Sequence, residues 1–167
     1  MLDKIKKTPE ITTTTVKKFD GKFEGEIDNI CEKCRFDIEL NNGIKFEYKS
    51  YSEASINRIS TSDAFLKQHL SYLQDAEGIN KIRYEFDAKK FANREKIVEQ
   101  FKKMYEKNLD NTFDVIWRNK NIRNSIFDML SYPTNISEGQ LKTILISDFK
   151  SIINKTDSKL YNFIKSN

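Results

Sequence analysis

The chain has 167 residues, of which 32% are charged and 38% hydrophobic, with a formal net charge of +4. Its 12 Phe and 7 Tyr residues supply large apolar side chains, so we expect a folded core rather than a disordered chain. No apolar run approaches the roughly 18 residues of a membrane span, and no basic-then-apolar leader opens the sequence. Two cysteines exclude a disulfide scaffold, and one histidine excludes sites built from several imidazoles.

Three regions follow one another along the chain. Residues 1–20 contain a threonine run, a proline and no clear period, which predicts a linker or flexible arm. Residues 21–90 predict an α/β core, and residues 91–167 predict a helical half packed on that core within a single domain. The expected fold is therefore α/β, a mixed sheet with flanking helices and a helical C-terminal extension.

A β-hairpin is predicted where two runs of alternating apolar and charged residues, 35–40 and 44–49, flank Asn41-Asn42-Gly43. A two-residue turn would mix the two faces of the hairpin. A three-residue loop pairs Ile38 with Phe46 and keeps all the apolar side chains on one face, so we predict that register. Beyond the hairpin, the pattern predicts a helix beginning at 62–63, a third strand over 79–87, and helices from residue 93 onward.

The predicted register sets Asp37 directly opposite Glu47. Like charges at facing positions destabilise a sheet, and a divalent cation would offset them. Lys49 lies two residues beyond Glu47 on the same face, where its ammonium could stabilise negative charge or orient a water molecule. Two carboxylates, a metal ion and a lysine form a set of groups suited to phosphodiester hydrolysis.

The residues Asp37, a short hairpin and Glu47-Tyr48-Lys49 resemble the D-(X)n-E-X-K signature of the PD-(D/E)XK nuclease superfamily. Gln68 to Tyr72 resembles the Q-x-x-x-Y element of its phage-exonuclease-like branch. The resemblance covers about residues 20–90 and implies a restriction-endonuclease-like fold. It also implies that Asp37, Glu47 and the Tyr48 carbonyl bind Mg²⁺, with Mn²⁺ or Zn²⁺ as substitutes, that Lys49 orients the attacking water, and that Gln68 assists.

Family members often supply a further acidic residue upstream of the hairpin. Glu24, Glu26 and Asp28 are the candidates here, and we select Glu26 as the catalytic one. The sequence has no Pro before Asp37, and its helical second half is not matched by the superfamily signature. A compact nuclease domain with such a helical half resembles C-terminal toxin nuclease modules of bacterial polymorphic and contact-dependent growth inhibition systems.

The expected function is a metal-dependent nuclease, with DNA slightly favoured as substrate and RNA, including tRNA, as the other polymer. The toxin resemblance implies a nucleic-acid substrate, an immunity protein as partner, and delivery within a larger secreted effector into the cytoplasm of a target bacterium. Without a toxin role, we expect a cytoplasmic protein. The alternative function is a non-catalytic module that binds nucleic acid or another protein.

Ordinary structural roles compete with these functional ones. A solvated strand face would produce the same alternation of charges in the hairpin, and a plain helix surface would produce the Gln68 and Tyr72 spacing. His69 is expected to be a packing or surface residue rather than a functional one. Cys31 and Cys34 have the spacing of a redox pair but precede a strand, so we expect a local disulfide or two unreactive thiols.

Overall fold

The computed structural model describes residues 8, 10–12, 14–22, 35–131, 138–155 and 157–166. The strands within these ranges are β1 (Val16–Lys22), β2 (Arg35–Leu40), β3 (Lys45–Lys49), β4 (Ile82–Phe86) and β5 (Ile164–Ser166). The α-helices are α1 (Arg58–Thr61), α2 (Asp63–Asp75), α3 (Arg94–Lys107), α4 (Leu109–Arg118), α5 (Lys120–Leu130) and α6 (Glu138–Asn154). Short 3₁₀ helices span Ile79–Lys81 and Lys159–Phe163. In these ranges no helix has the length and apolar character of a membrane-crossing segment.

The strands form one mixed sheet in the order β1-β2-β3-β4-β5. Strands β1, β2 and β3 are antiparallel neighbours, whereas β4 runs parallel to β3 and β5 runs parallel to β4. The chain must cross over between the parallel strands β3 and β4, and this connection contains α1 and α2. The predicted α/β class is confirmed. The crossover also brings α2 next to the predicted site residues Glu47 and Lys49 on β3.

The hairpin between β2 and β3 has the predicted register. Ile38 lies opposite Phe46, and the Leu40 N–H donates to the Ile44 carbonyl at 2.8 Å. Gly43 closes the three-residue loop with φ at +79°, a left-handed conformation that a residue without a Cβ adopts at least cost. The apolar pattern therefore determined both the strand pairing and the loop length.

Two of the predicted regions, 1–20 and 91–167, differ in part from the structure, because each contributes an edge strand. Residues 16–20 belong to β1 and pair with β2, whereas a linker or flexible arm was expected over residues 1–20. β1 lacks an alternating apolar pattern and leaves Phe19 60% exposed, so only its backbone pairing identifies it. The half predicted as helical, 91–167, contains four α-helices and a 3₁₀ helix in its described residues, but it also contributes β5, where Ile164 pairs with Tyr84.

His69 lies at the centre of an aromatic core, so of the two expected positions, packing and surface, it occupies the packing one. Its ring centroid is 5.4–5.6 Å from those of Tyr84, Phe101, Tyr105 and Phe163. Its Nδ1 is 3.0 Å from the Tyr84 hydroxyl, and its Nε2 is 2.6 Å from the Tyr105 hydroxyl. Complete burial lowers the pKa of His69 to about 3, so the ring is neutral, with one nitrogen donating and the other accepting.

This burial predicts an acid-sensitive core. Because the unfolded chain binds a proton at His69 below about pH 6.5 and the folded chain does not until about pH 3, stability falls as the pH drops through that window. We expect the free energy of unfolding to fall by about 2 kcal/mol between pH 7.5 and pH 5 from this residue alone. His69 is the only histidine, so the assignment can be checked by a single substitution.

The comparison is urea unfolding of the wild type and His69→Gln at the two pH values. Glutamine retains a donor and an acceptor but does not titrate, so the variant should be less stable at pH 7.5 and lose less stability on acidification. An equal pH dependence in both proteins would contradict a buried neutral His69.

Candidate active site

The sequence-predicted residues meet where β2, β3 and α2 come together. Asp37 belongs to β2, Glu47 and Lys49 belong to β3, and Gln68 lies on α2. The helix begins as predicted, because the Ser62 side chain accepts the Phe65 N–H at 3.3 Å and caps the first turn. A four-residue spacing then places Gln68 and Tyr72 on one face of α2.

Asp37 is fixed at the point where the hairpin strands stop pairing. The backbone ladder of β2 and β3 ends at Ile38 and Phe46, one residue before Asp37 and Glu47 would pair. The N–H of Tyr48, which would donate to a β2 carbonyl in a continued ladder, instead donates to Asp37 Oδ2 at 2.7 Å. The carboxylate therefore replaces a backbone acceptor.

Glu47 is buried and its carboxylate is held by side chains from two elements. Lys49 Nζ lies 2.6 Å from Glu47 Oε1, and Gln68 Nε2 donates to the same oxygen at 3.1 Å. The Tyr72 hydroxyl donates to Glu47 Oε2. Gln68 also accepts from Lys49 Nζ at 2.8 Å, so that one amide contacts both the Glu47 carboxylate and the Lys49 ammonium.

Tyr72 connects this cluster to the first residue of β2. Its hydroxyl oxygen accepts from Gln68 Nε2 at 2.9 Å and lies 2.8 Å from the Arg35 carbonyl oxygen. The sequence pattern included Tyr72 in a motif but assigned it no contact with Glu47. Its four-residue spacing from Gln68 is the signal that identifies it, because both side chains then project toward the same strand.

The two carboxyl groups are destabilised as anions. Burial raises the pKa of Asp37, against the opposing effects of the Tyr48 N–H and the Lys49 ammonium. Burial also raises the pKa of Glu47, the negative charge of Asp37 adds to that effect, and Lys49 and Tyr72 counteract it. Carboxyl groups with raised pKa values beside a lysine are more common in functional sites than on ordinary surfaces.

The charge balance differs from the sequence argument, which assigned it to a metal ion. Lys49 supplies a positive charge directly to Glu47, and Tyr72 supplies a donor to its second oxygen. The donor set nevertheless suits Mg²⁺ or Mn²⁺, because one or two carboxylates completed by water are ordinary ligands of such ions. No group of three or more His, Cys, Asp or Glu side chains is placed to hold an ion in the described part of the chain.

The remaining predicted residues do not join this cluster. Glu26, selected as a catalytic residue, lies outside the described residues, as do Glu24 and Asp28. The same is true of Cys31 and Cys34. The sequence analysis also missed Phe65 and Glu85. The Phe65 ring centroid lies 5.3 Å from Lys49 Nζ, and Glu85 is a buried acid on β4 beside Tyr48 in the sheet register.

The raised pKa of Asp37 predicts a stabilising substitution. The folded state holds the Asp37 proton more tightly than the unfolded chain does, so stability falls as the pH rises above the unfolded pKa near 3.8. Asn at this position keeps an acceptor for the Tyr48 N–H without the charge. We expect Asp37→Asn to raise the free energy of unfolding at pH 7, by an amount that partial solvent screening keeps small.

The measurement is urea unfolding at pH 7 and pH 4, and the gain should shrink at the lower pH. Glu39→Gln is the matched control, because Glu39 lies on the same strand but forms an ion pair with Lys17 at 3.0 Å. Loss of stability in Asp37→Asn at pH 7 would show that the Asp37 charge is not a cost to the fold.

Comparison of the chain with known proteins gives no match. No family model, no curated protein and no solved structure matches the chain. The likeness to the nuclease superfamily therefore stays a prediction from the motif residues. Any assignment of function rests on the chemistry of Asp37, Glu47, Lys49 and Gln68.

Proposed function

We propose that this protein is a divalent-metal-dependent nuclease that hydrolyses phosphodiester bonds in nucleic acid. The observation that carries the proposal is the Lys49 ammonium held between Glu47 and Gln68, with the Asp37 carboxylate bound to the N–H of Tyr48, the residue between Glu47 and Lys49. A solvated strand face would leave these groups in water. Here Glu47 and Lys49 are mostly buried and each of their charged groups has more than one partner.

Each residue has a role in this proposal. Asp37 and Glu47 would hold Mg²⁺, with Mn²⁺ or Zn²⁺ as substitutes and the Tyr48 carbonyl as a further ligand. The ion would supply Lewis-acid stabilisation of the charge that develops on the phosphate. Lys49 would orient the attacking water, and Gln68 would hold Lys49 in position through the 2.8 Å contact.

The proposal extends to the type of fold, the substrate and the biological context. The hairpin with its acids, the crossover helix α2 and the parallel strand β4 support a restriction-endonuclease-like arrangement. The formal charge of +4 favours a polyanionic substrate, and we favour DNA over RNA. A bacterial toxin module with an immunity protein, acting in a target cell after delivery, is the biological context we propose. It rests only on the resemblance of the sequence.

The test is cleavage of plasmid DNA and, separately, of total cellular RNA, with Mg²⁺ or with EDTA. We expect cleavage that requires the metal ion and that falls by about 100-fold or more in Glu47→Gln and in Lys49→Met. Lys45→Met is the matched control for Lys49, because both lysines lie on β3 with their Nζ 5.3 Å from a Phe ring centroid. Glu39→Gln is the control for Glu47.

Two results would contradict a metal-dependent nuclease that uses Glu47 and Lys49. Cleavage that persists in EDTA, or that survives both substitutions, would mean that another activity or site is responsible. Nucleic-acid binding without cleavage, unchanged in Glu47→Gln, would favour the non-catalytic binding module. Circular dichroism of each variant would show whether a loss of cleavage reflects chemistry or unfolding.

A further inference from the structure

Lys49 is held by several contacts within the protein, with no substrate bound. Its ammonium has three N–H donors; two of them have acceptors in the structure, and the charge also lies over an aromatic ring. These partners are Glu47 Oε1 at 2.6 Å, Gln68 Oε1 at 2.8 Å and the face of the Phe65 ring at 5.3 Å from its centroid. With these contacts in place, at most one N–H of Lys49 is left to orient a water molecule.

The Glu47 carboxylate is equally occupied. Oε1 accepts from Lys49 and from Gln68, and Oε2 accepts from Tyr72. A divalent cation bound to Oε1 would share that oxygen with the Lys49 ammonium, whose Nζ lies 2.6 Å from it. The side chains of Lys49 and Glu47 are only 13% and 9% exposed, so solvent would screen the repulsion between the two cations poorly.

We infer that Lys49 occupies the cation position of the Glu47 carboxylate in the metal-free protein and leaves it when a divalent cation binds. The inference rests on the metal site of the proposed function but does not require cleavage. Of the three Lys49 partners, only Glu47 would also be a metal ligand. Gln68 and Phe65 therefore keep the ammonium at the site after it leaves Glu47.

This competition also sets the order of events at the site. The N–H that Lys49 withdraws from Glu47 becomes a further donor that can reach a water molecule. Metal binding and the availability of Lys49 are thus linked through one carboxylate oxygen. A lysine in this position keeps the metal-free site electrically balanced at the expense of metal affinity.

The first test measures Mn²⁺ binding by calorimetry at pH 8, without nucleic acid. We expect Lys49→Met to bind Mn²⁺ about tenfold more tightly than the wild type, because the competing charge is gone. Lys45→Met should bind like the wild type. In a Glu47→Gln background, Lys49→Met should give no gain. Equal or weaker Mn²⁺ binding by a folded Lys49→Met variant would overturn the inference.

The second test uses the wild-type protein and so does not depend on the folding of a variant. Acylation of lysine amines is followed residue by residue by mass spectrometry, with and without Mg²⁺. Lys49 should react several-fold faster once Mg²⁺ is bound, while Lys45 should not change. Unchanged or slower labelling of Lys49 in the presence of bound Mg²⁺ would overturn the inference.

These outcomes are separable from the fate of the proposed function. Tighter binding by Lys49→Met together with an absence of DNA and RNA cleavage would reject the nuclease and retain the competition. Metal-dependent cleavage together with unchanged Mn²⁺ affinity in Lys49→Met would support the nuclease and reject the competition between Lys49 and the metal ion.

Discussion

The Glu47 carboxylate is the group on which the arrangement of the site depends. It is withdrawn from water, and each of its oxygens is satisfied by a side chain that must itself be held in place. A buried carboxylate without partners would cost several kcal/mol, so Lys49, Gln68 and Tyr72 stabilise the fold as well as shaping the site. The same contacts keep α2 at a fixed height above β3.

His69 fixes α2 from the opposite direction. It follows Gln68 in sequence but points into the aromatic core, where its two ring nitrogens contact Tyr84 and Tyr105. One turn of helix thus carries a residue bound to the site and a residue bound to the core. Tyr84 lies opposite Glu47 in the register of β3 and β4, so the core network and the site share a pair of neighbouring strands.

Local patterns predicted the hairpin, its loop and the start of α2, because alternation, a left-handed glycine and a capping serine each act within a few residues. The alternation also predicted that Lys49 lies on the same face as Glu47, whereas the ladder ends before Asp37 and Glu47 pair and Asp37 instead accepts the Tyr48 N–H. The contacts of Tyr72 and Phe65 depend on how α2 crosses the sheet, which no local pattern encodes. The edge strands β1 and β5 were missed for a related reason. Each is identified by backbone pairing with a partner strand, and β5 pairs with a strand some 80 residues earlier.

The position of β5 has a consequence for how the protein is made. Arg94 at the start of α3 donates to the carbonyls of Tyr161 at 3.0 Å and Ile164 at 3.3 Å, and the Phe163 ring packs against His69. A nascent chain that has left the ribosome only as far as α3 lacks these partners. The core beneath α2 therefore closes only after residues 159–166 have emerged from the ribosome. A chain that stops short of them has every residue of the candidate site but lacks part of the core that holds the site in place.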